Sequence, residues 1–235
     1  MPMPSERRQM PFIWAVGSYR HESAKKRLEF SKLVRQILAF RASCTIVMSD
    51  SHTFSERVRE NAQCIAESGA VALSGLYDLT SMRLVRFSVT ITRNQHDAED
   101  AVQAVLLRVA GNAKLLSRAA SPWPYLLQMV RNESLVILRK KRRSATVGNL
   151  TDLLTHRMVD EVEKEESYRA IWLAIRTLPV EQSEVVVLKI WEEMTFLQIS
   201  EVLTIPAATA ASRYRYAMQK LSIELRSQAV EVTHE

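Results

Sequence analysis

From Thr195 to Leu221 the chain is punctuated so tightly that few folds accommodate it. Thr195 followed three residues later by Gln198 is a capping-box start: the hydroxyl takes one orphan amide and the Gln side chain reaches back to another. Phe196, Ile199, Val202 and Leu203 then form an apolar stripe at helical spacing. Thr204-Ile205-Pro206 interrupts it, and Pro206 suits the first turn of a new helix, where its missing amide hydrogen costs nothing. In that helix Ala210, Tyr214, Ala217 and Leu221 share one face, while Arg213, Arg215, Gln219 and Lys220 fall largely off it. With a preceding helix beginning near Glu181, the pattern has the outline of a helix-turn-helix. An ordinary helical hairpin with a solvated basic face shares that outline. Thr204 stands where the turn usually takes glycine, and a β-branched residue is poorly suited to a left-handed backbone.

The rest of the chain is helical in the same sense. Long segments with helical spacing dominate, and 5 glycines and 7 prolines are few for an all-β protein, so an all-α class is expected. No apolar run approaches the roughly 18–20 residues of a membrane span, and membrane insertion is not expected. Phe12–Gly17 is too short for a signal-peptide core. Cys44 and Cys64 form neither a metal motif nor a disulfide framework, which suits a reducing, cytoplasmic setting. The net charge of +6 is carried by the first 47 residues, with nine Lys and Arg against three Glu; the remainder balances. Basicity in the main body is therefore clustered, which argues for local binding surfaces.

Residues 1–47 are read as a poorly ordered extension, periodic only over Ala24–Phe40, and the composition change near Met48 marks that residue as a candidate biological start. From Phe54 to Arg93 the pattern is helical, with Val58, Cys64, Ile65, Val71, Leu73, Leu76, Leu79, Leu84, Val85 and Val89 as expected buried positions. Gly69 and Gly75 are the expected breaks. Asp97, Glu99 and Asp100 open the next helix, where acidic side chains favour the dipole, and Val102, Val105, Leu106 and Val109 follow. Ser121-Pro122-Trp123-Pro124 is a break before a helix carrying Leu126, Leu127, Val130, Leu135 and Leu138. That helix ends in five consecutive cations, Arg139 to Arg143, close in sequence to Trp123, Tyr125 and Arg131. Cations fix a phosphate backbone and aromatics stack on unpaired bases, the combination that single-stranded nucleic acid calls for. Residues 144–166 read as a linker, and Ile171, Trp172, Ile175 and Leu178 open a second domain.

Two separated stretches then coincide with one family. Asp97-Ala-Glu-Asp-Ala-Val-Gln103, followed by Tyr125-Leu-Leu-Gln-Met-Val-Arg-Asn132 and a basic tract, resembles the core domain of bacterial RNA polymerase sigma factors. Leu178-Pro-Val-Glu-Gln182 followed by Thr209-Ala-Ala-Ser-Arg213 resembles their C-terminal promoter-binding domain. Order and spacing are similar to the two-domain extracytoplasmic-function group of the sigma-70 family. The resemblance implies two small helical domains joined by a flexible linker: a region 2 bundle over 66–143 and a region 4 helix-turn-helix over 167–228. Residues 1–65 stay an unassigned extension.

The resemblance also implies roles. Glu99, Asp100 and Gln103 would dock on the polymerase β′ clamp, with the β flap as a second contact. Trp123, Tyr125, Arg131, Asn132, Arg139, Lys140, Arg142 and Arg143 would recognise and melt the −10 element. Thr209, Ser212, Arg213, Arg215, Tyr216 and Lys220 would lie on the helix entering the −35 major groove. Core RNA polymerase, promoter DNA and an anti-sigma factor are the partners implied, with no cofactor, no metal and no catalytic residue. The sequence departs from the family's pattern at Ala211, Tyr216, Val136 and Ala104, where charged residues are common. Two other readings are a helix-turn-helix regulator acting without polymerase, and an all-α hydrolase or nucleotidyltransferase with Asp97, Glu99 and Asp100 as metal ligands.

Overall fold

The structure is a computed structural model that describes residues 51–145 and 166–231; residues 1–50 of the extension, with the segment Ala24–Phe40 and Met48, and the greater part of the expected linker lie outside the described residues. All regular structure among the described residues is helical. A first body comprises α1 (Ser51–Ser68), a 3-10 turn (Gly69–Ala72), α2 (Leu73–Thr92), α3 (Gln95–Gly111) and α4 (Pro122–Ala145). A second comprises α5 (Glu166–Thr177), α6 (Val180–Ile190), α7 (Phe196–Leu203) and α8 (Ala207–Glu231).

The boundary expected at residue 65 falls inside α1, which is part of the first body. Phe54, Val58, Ala62 and Ile65 recur every three or four residues and are all buried. Gly69 takes φ +71, a left-handed conformation that lets the chain leave α1. Gly75 is no break. It lies inside α2, where an added Cβ would stand 2.5 Å from Asn61 Oδ1 on α1. Two expected core positions are exposed. Cys64 lies about 100° round the helix from Ile65, and Val71, in the 3-10 turn, is 87% exposed. Leu76, Leu84, Phe87 and Ile91 of α2 meet Val102, Val105 and Val109 of α3 and Leu126, Leu127 and Val130 of α4.

Asn94 caps α3 by accepting from the Asp97 amide. Both Pro122 and Pro124 sit in the first turn of α4, where a missing donor is harmless. In the second body α6 is buried nearly all round, from Ser183 and Glu184 through Val185, Val186, Val187 and Leu188, so it is the central helix. The capping box of Thr195 and Gln198 forms as the spacing predicts. Thr204 closes α7 with φ 56 and ψ 48, left-handed despite its branched Cβ. Ala210, Tyr214, Ala217 and Leu221 are buried on one face of α8, which runs to 25 residues and is far longer than a minimal recognition helix.

The two bodies pack directly on each other, α2 against α6 and α4 against α7. Arg83 and Arg86 of α2 reach Glu192 at 3.4 and 2.8 Å. Arg93 donates to the Leu178 carbonyl at 2.8 Å and to Ser183 Oγ at 3.1 Å. Gln128 of α4 donates to the Glu201 carbonyl and to Thr204 Oγ1, both at 3.3 Å.

Candidate nucleic-acid interface

Three surfaces carry the residues expected to act. The first is the outer face of α3. Glu99, Asp100 and Gln103 are all exposed, while Ala98, Ala101, Val102 and Val105 are buried behind them. Glu99 accepts from Gln95 Nε2 at 2.7 Å, an i,i+4 pair that braces the first turn. Leu107 was not anticipated. It lies one turn beyond Gln103 and two beyond Asp100, and is 65% exposed. The signal was present in the spacing, because Leu107 falls off the Val102–Val105–Leu106–Val109 face. Asp97 is separated from this surface: it is buried and its carboxylate meets Lys141 Nζ at 2.8 Å. The three acids expected by the metal reading therefore do not converge, and no cluster of three His, Cys, Asp or Glu among the described residues could hold a metal ion.

The second surface belongs to α4, and the structure divides its expected residues. Trp123 is a core residue, 3% exposed, packed edge-on against Phe54 with ring centroids 5.0 Å apart. Its ring is spent on α1 and is not presented for base stacking. Tyr125 is half-buried and lines an open cleft of about 530 Å³ with Leu115, Arg118, Pro124, Gln128 and Glu201. Asn132, Arg139, Lys140, Arg142 and Arg143 are exposed. Asn132, Arg139 and Arg143 are spaced by seven and four residues, so they align within about 20° along one edge of the helix.

Arg131 faces elsewhere. Its Nε donates to Glu184 Oε1 of α6 at 2.7 Å, and the Glu184 side chain is only 1% exposed. Burial pushes the Glu184 carboxyl above the ordinary carboxylate range, and Arg131, by charge and hydrogen bond, pulls against it. A smaller pull in the same direction comes from Arg213.

The third surface is the outer face of α8. Thr209, Ser212, Arg213, Tyr216 and Lys220 recur at three, four, seven and eleven residues, and so share a side of the helix. Thr209, Ser212 and Arg213 are half-buried; Arg215, Tyr216 and Lys220 are exposed. The Arg215 guanidinium lies 5.1 Å from the Tyr216 ring centroid, and Ser212 Oγ donates back to the Ala208 carbonyl at 2.9 Å. Behind this face Tyr214 packs against Phe196 of α7, and burial pushes its phenol up to about 12.

Comparison with known proteins adds to this geometry. The family described as Sigma-70 region 2 matches residues 76–144, and the family described as Sigma-70, region 4 matches residues 168–221. The chain is 24% identical over 183 residues to the ECF RNA polymerase sigma factor SigW of Bacillus subtilis, covering 72% of this chain and 97% of that one. It is 27% identical over 168 residues to the ECF RNA polymerase sigma factor SigL of Mycobacterium tuberculosis, covering 70% and 95%. Among solved structures it is similar to the sigma factor RpoE in complex with the anti-sigma factor NepR from Bartonella quintana. The TM-score there is 0.55 at 18% identity, covering 65% of this chain and 96% of that chain. It is also similar to CnrH in complex with the cytosolic domain of CnrY, with a TM-score of 0.52 at 18% identity, covering 72% and 97%. At that identity the two structures speak for the fold alone.

Proposed function

Since the chain belongs to the sigma-70 family, as a sigma factor of the extracytoplasmic-function group that directs transcription from particular promoters, we propose a division of labour among its residues. The outer face of α3 docks on the β′ clamp of core RNA polymerase through Glu99, Asp100 and Gln103, and the second body meets the β flap. The α4 edge holds the −10 element: Asn132, Arg139, Lys140, Arg142 and Arg143 grip the backbone, and Tyr125 receives an unstacked base. The outer face of α8 enters the −35 major groove, where Arg213 and Arg215 read guanine edges or hold phosphate. Trp123 is left out of this assignment because its ring is buried. Nucleotide addition belongs to the polymerase, and this chain contributes binding energy without a reaction of its own.

Two further assignments follow from the same reading. The chain works in the cytoplasm, in keeping with the fact that no described helix is long and apolar enough to cross a membrane. An anti-sigma protein is a partner, in keeping with the two structural relatives described as such complexes.

The observation that carries the reading is the coincidence of the region 2 and region 4 matches, in order, with two helical bodies. The outer face of α3 then leaves Asp100 and Gln103 exposed. A pull-down of purified core RNA polymerase tests it. Wild type binds, and Asp100→Ala/Gln103→Ala loses about 100-fold in affinity, because each side chain takes an interaction of about 1.5 kcal/mol with it. Retention of duplex DNA binding with no polymerase binding by the wild type would overturn the reading.

A further inference from the structure

Along its outer face α8 changes character. From Ala207 to Ser212 the sequence holds no charged residue, only methyl groups and the hydroxyls of Thr209 and Ser212. Ala208 is exposed there, and Thr209, Ala211 and Ser212 are half-buried. The Ser212 hydroxyl has already committed its hydrogen, because it donates to the Ala208 carbonyl at 2.9 Å. Cations follow at Arg213, Arg215 and Lys220. A recognition helix meets base edges with its N-terminal residues. The part of α8 nearest the bases is therefore the part without charge, and Tyr216 stands one turn beyond Ser212 on the same side.

Neither nearby arginine is placed as a free reader of guanine. Such an arginine extends its fork toward O6 and N7. Arg213 is half-buried, and its charge acts on the buried Glu184 carboxyl of α6. Arg215 is exposed but lies against its neighbour, with its guanidinium 5.1 Å from the Tyr216 ring centroid. A guanidinium against an aromatic face keeps its in-plane donors, an arrangement suited to a phosphate at the groove wall. Tyr216 is then the one aromatic on the side that Thr209, Ser212 and Lys220 share. It is 50% exposed and steadied by a cation.

We infer that Tyr216 is a specificity residue of this chain, whose ring reads a thymine of the −35 element through the C5 methyl group, while Arg213 and Arg215 hold the flanking phosphates. This rests on the sigma reading above and assigns the two arginines to phosphate rather than to guanine. The C5 methyl is the apolar group that the major groove displays, and thymine alone carries it. An aromatic ring against that methyl removes apolar surface from water on both sides. A cytosine in the same place lacks the methyl and sets an amino group near a ring that cannot accept from it in place of water. A cationic side chain in the place of Tyr216 would favour guanine instead, so the ring itself decides which base is preferred.

The test uses the full chain assembled with core RNA polymerase. The holoenzyme selects from a pool of promoter-length duplexes randomised upstream of the start site. The enriched −35 element is then remade with deoxyuridine in place of each thymine in turn, which keeps every hydrogen-bonding group and removes only the methyl. At one thymine the wild type is expected to lose about fourfold in affinity, the worth of one buried methyl. Tyr216→Ala is expected to bind thymine and deoxyuridine equally there, and at an exposed helical site alanine should leave the urea midpoint unchanged. Tyr216→Phe is expected to keep the fourfold difference, because the ring and not the phenol makes the contact. A penalty undiminished in Tyr216→Ala, a penalty lost in Tyr216→Phe, or an element in which no thymine methyl matters overturns the inference, while the assembled holoenzyme leaves the sigma reading standing. Failure of the wild type to assemble with core polymerase removes that reading, and this inference with it, before any DNA is scored.

Discussion

Arg93 offers a way to separate backbone strain from side-chain contact at one position. It caps α2 with φ 59, in the left-handed region. Its guanidinium reaches the Leu178 carbonyl at 2.8 Å and Ser183 Oγ at 3.1 Å, while Nη1 is buried and unpaired. Burial first, and then the charge of Arg176, draw its pKa below the ordinary arginine value, so the cation is held at some desolvation cost. Two charge-assisted hydrogen bonds less one unsatisfied donor leave a net contribution of about 1–2 kcal/mol. Arg93→Ala removes those contacts and keeps the strained backbone; Arg93→Gly removes the contacts and relieves the strain. The left-handed conformation costs a residue with a Cβ about 1–2 kcal/mol, and the extra freedom of glycine in the unfolded chain returns about 0.5–1 kcal/mol of that. Arg93→Gly is therefore expected to be more stable than Arg93→Ala by up to about 1 kcal/mol. Wild type is expected to exceed Arg93→Ala by about 1–2 kcal/mol. Urea unfolding followed by circular dichroism reads both differences as midpoint shifts at constant slope. An Ala variant as stable as the Gly variant would refute the strain. A wild type no more stable than the Ala variant would refute the contribution of the cross-body bonds.

Other perturbations address the core, the second body and the docking face. A chain starting at Gly69, compared with one starting at Met48, loses the burial of Phe54, Val58, Ala62 and Ile65 and uncovers Trp123. At about 1.5–3 kcal/mol per large apolar side chain, it is expected to lose about 5 kcal/mol or more, read by urea unfolding and a red shift in tryptophan emission. Equal stability of the two chains would place α1 outside the first body. Tyr214 ties stability to alkaline pH. Burial raises its folded pKa to about 12 from the ordinary phenol value of 10.0, so its contribution is fully present below pH 10 and is lost as pH rises toward 12. The loss is about 2–3 kcal/mol at 1.36 kcal/mol per unit, and Tyr214→Phe should remove that part of the slope in pH-dependent urea melts. Leu107→Ala is expected to weaken core-polymerase binding about tenfold with an unchanged urea midpoint, since an exposed leucine beside the docking acids stabilises a complex and not the fold. Unchanged polymerase binding would remove Leu107 from the docking face.

What was legible in the sequence was whatever a single helix decides for itself. The Thr195–Gln198 capping box, the buried face of α8 from Ala210 to Leu221, and the exposure of Asp100 and Gln103 follow from spacing and chemistry within one element. What was not legible depends on a distant partner. The Trp123 ring is consumed by Phe54 of α1, and no local signal separates a ring offered to a base from a ring offered to another helix. Arg131 is in the same position: its carboxylate lies 53 residues away, on a body that spacing alone gives no reason to bring near. The left-handed Thr204 was legible as a difficulty, and the structure gives its resolution, because the side chain that makes the turn costly is one that Gln128 uses.

The cationic run shows the same limit in a sharper form. Five consecutive cations suggest one continuous binding surface, but successive residues of a helix point about 100° apart, so no single ligand can meet all five. Arg139 and Arg143 share an edge with Asn132, and Lys141, about 200° from Arg139, pairs from the surface with the buried Asp97 at 2.8 Å. That pair joins the end of α4 to the first turn of α3, and so it ties the basic edge of α4 to the helix that bears Asp100 and Gln103. A charge run is therefore not one feature. Where it is helical, part of it answers to the fold and part to the ligand, and the division is set by which neighbour places a carboxylate within reach.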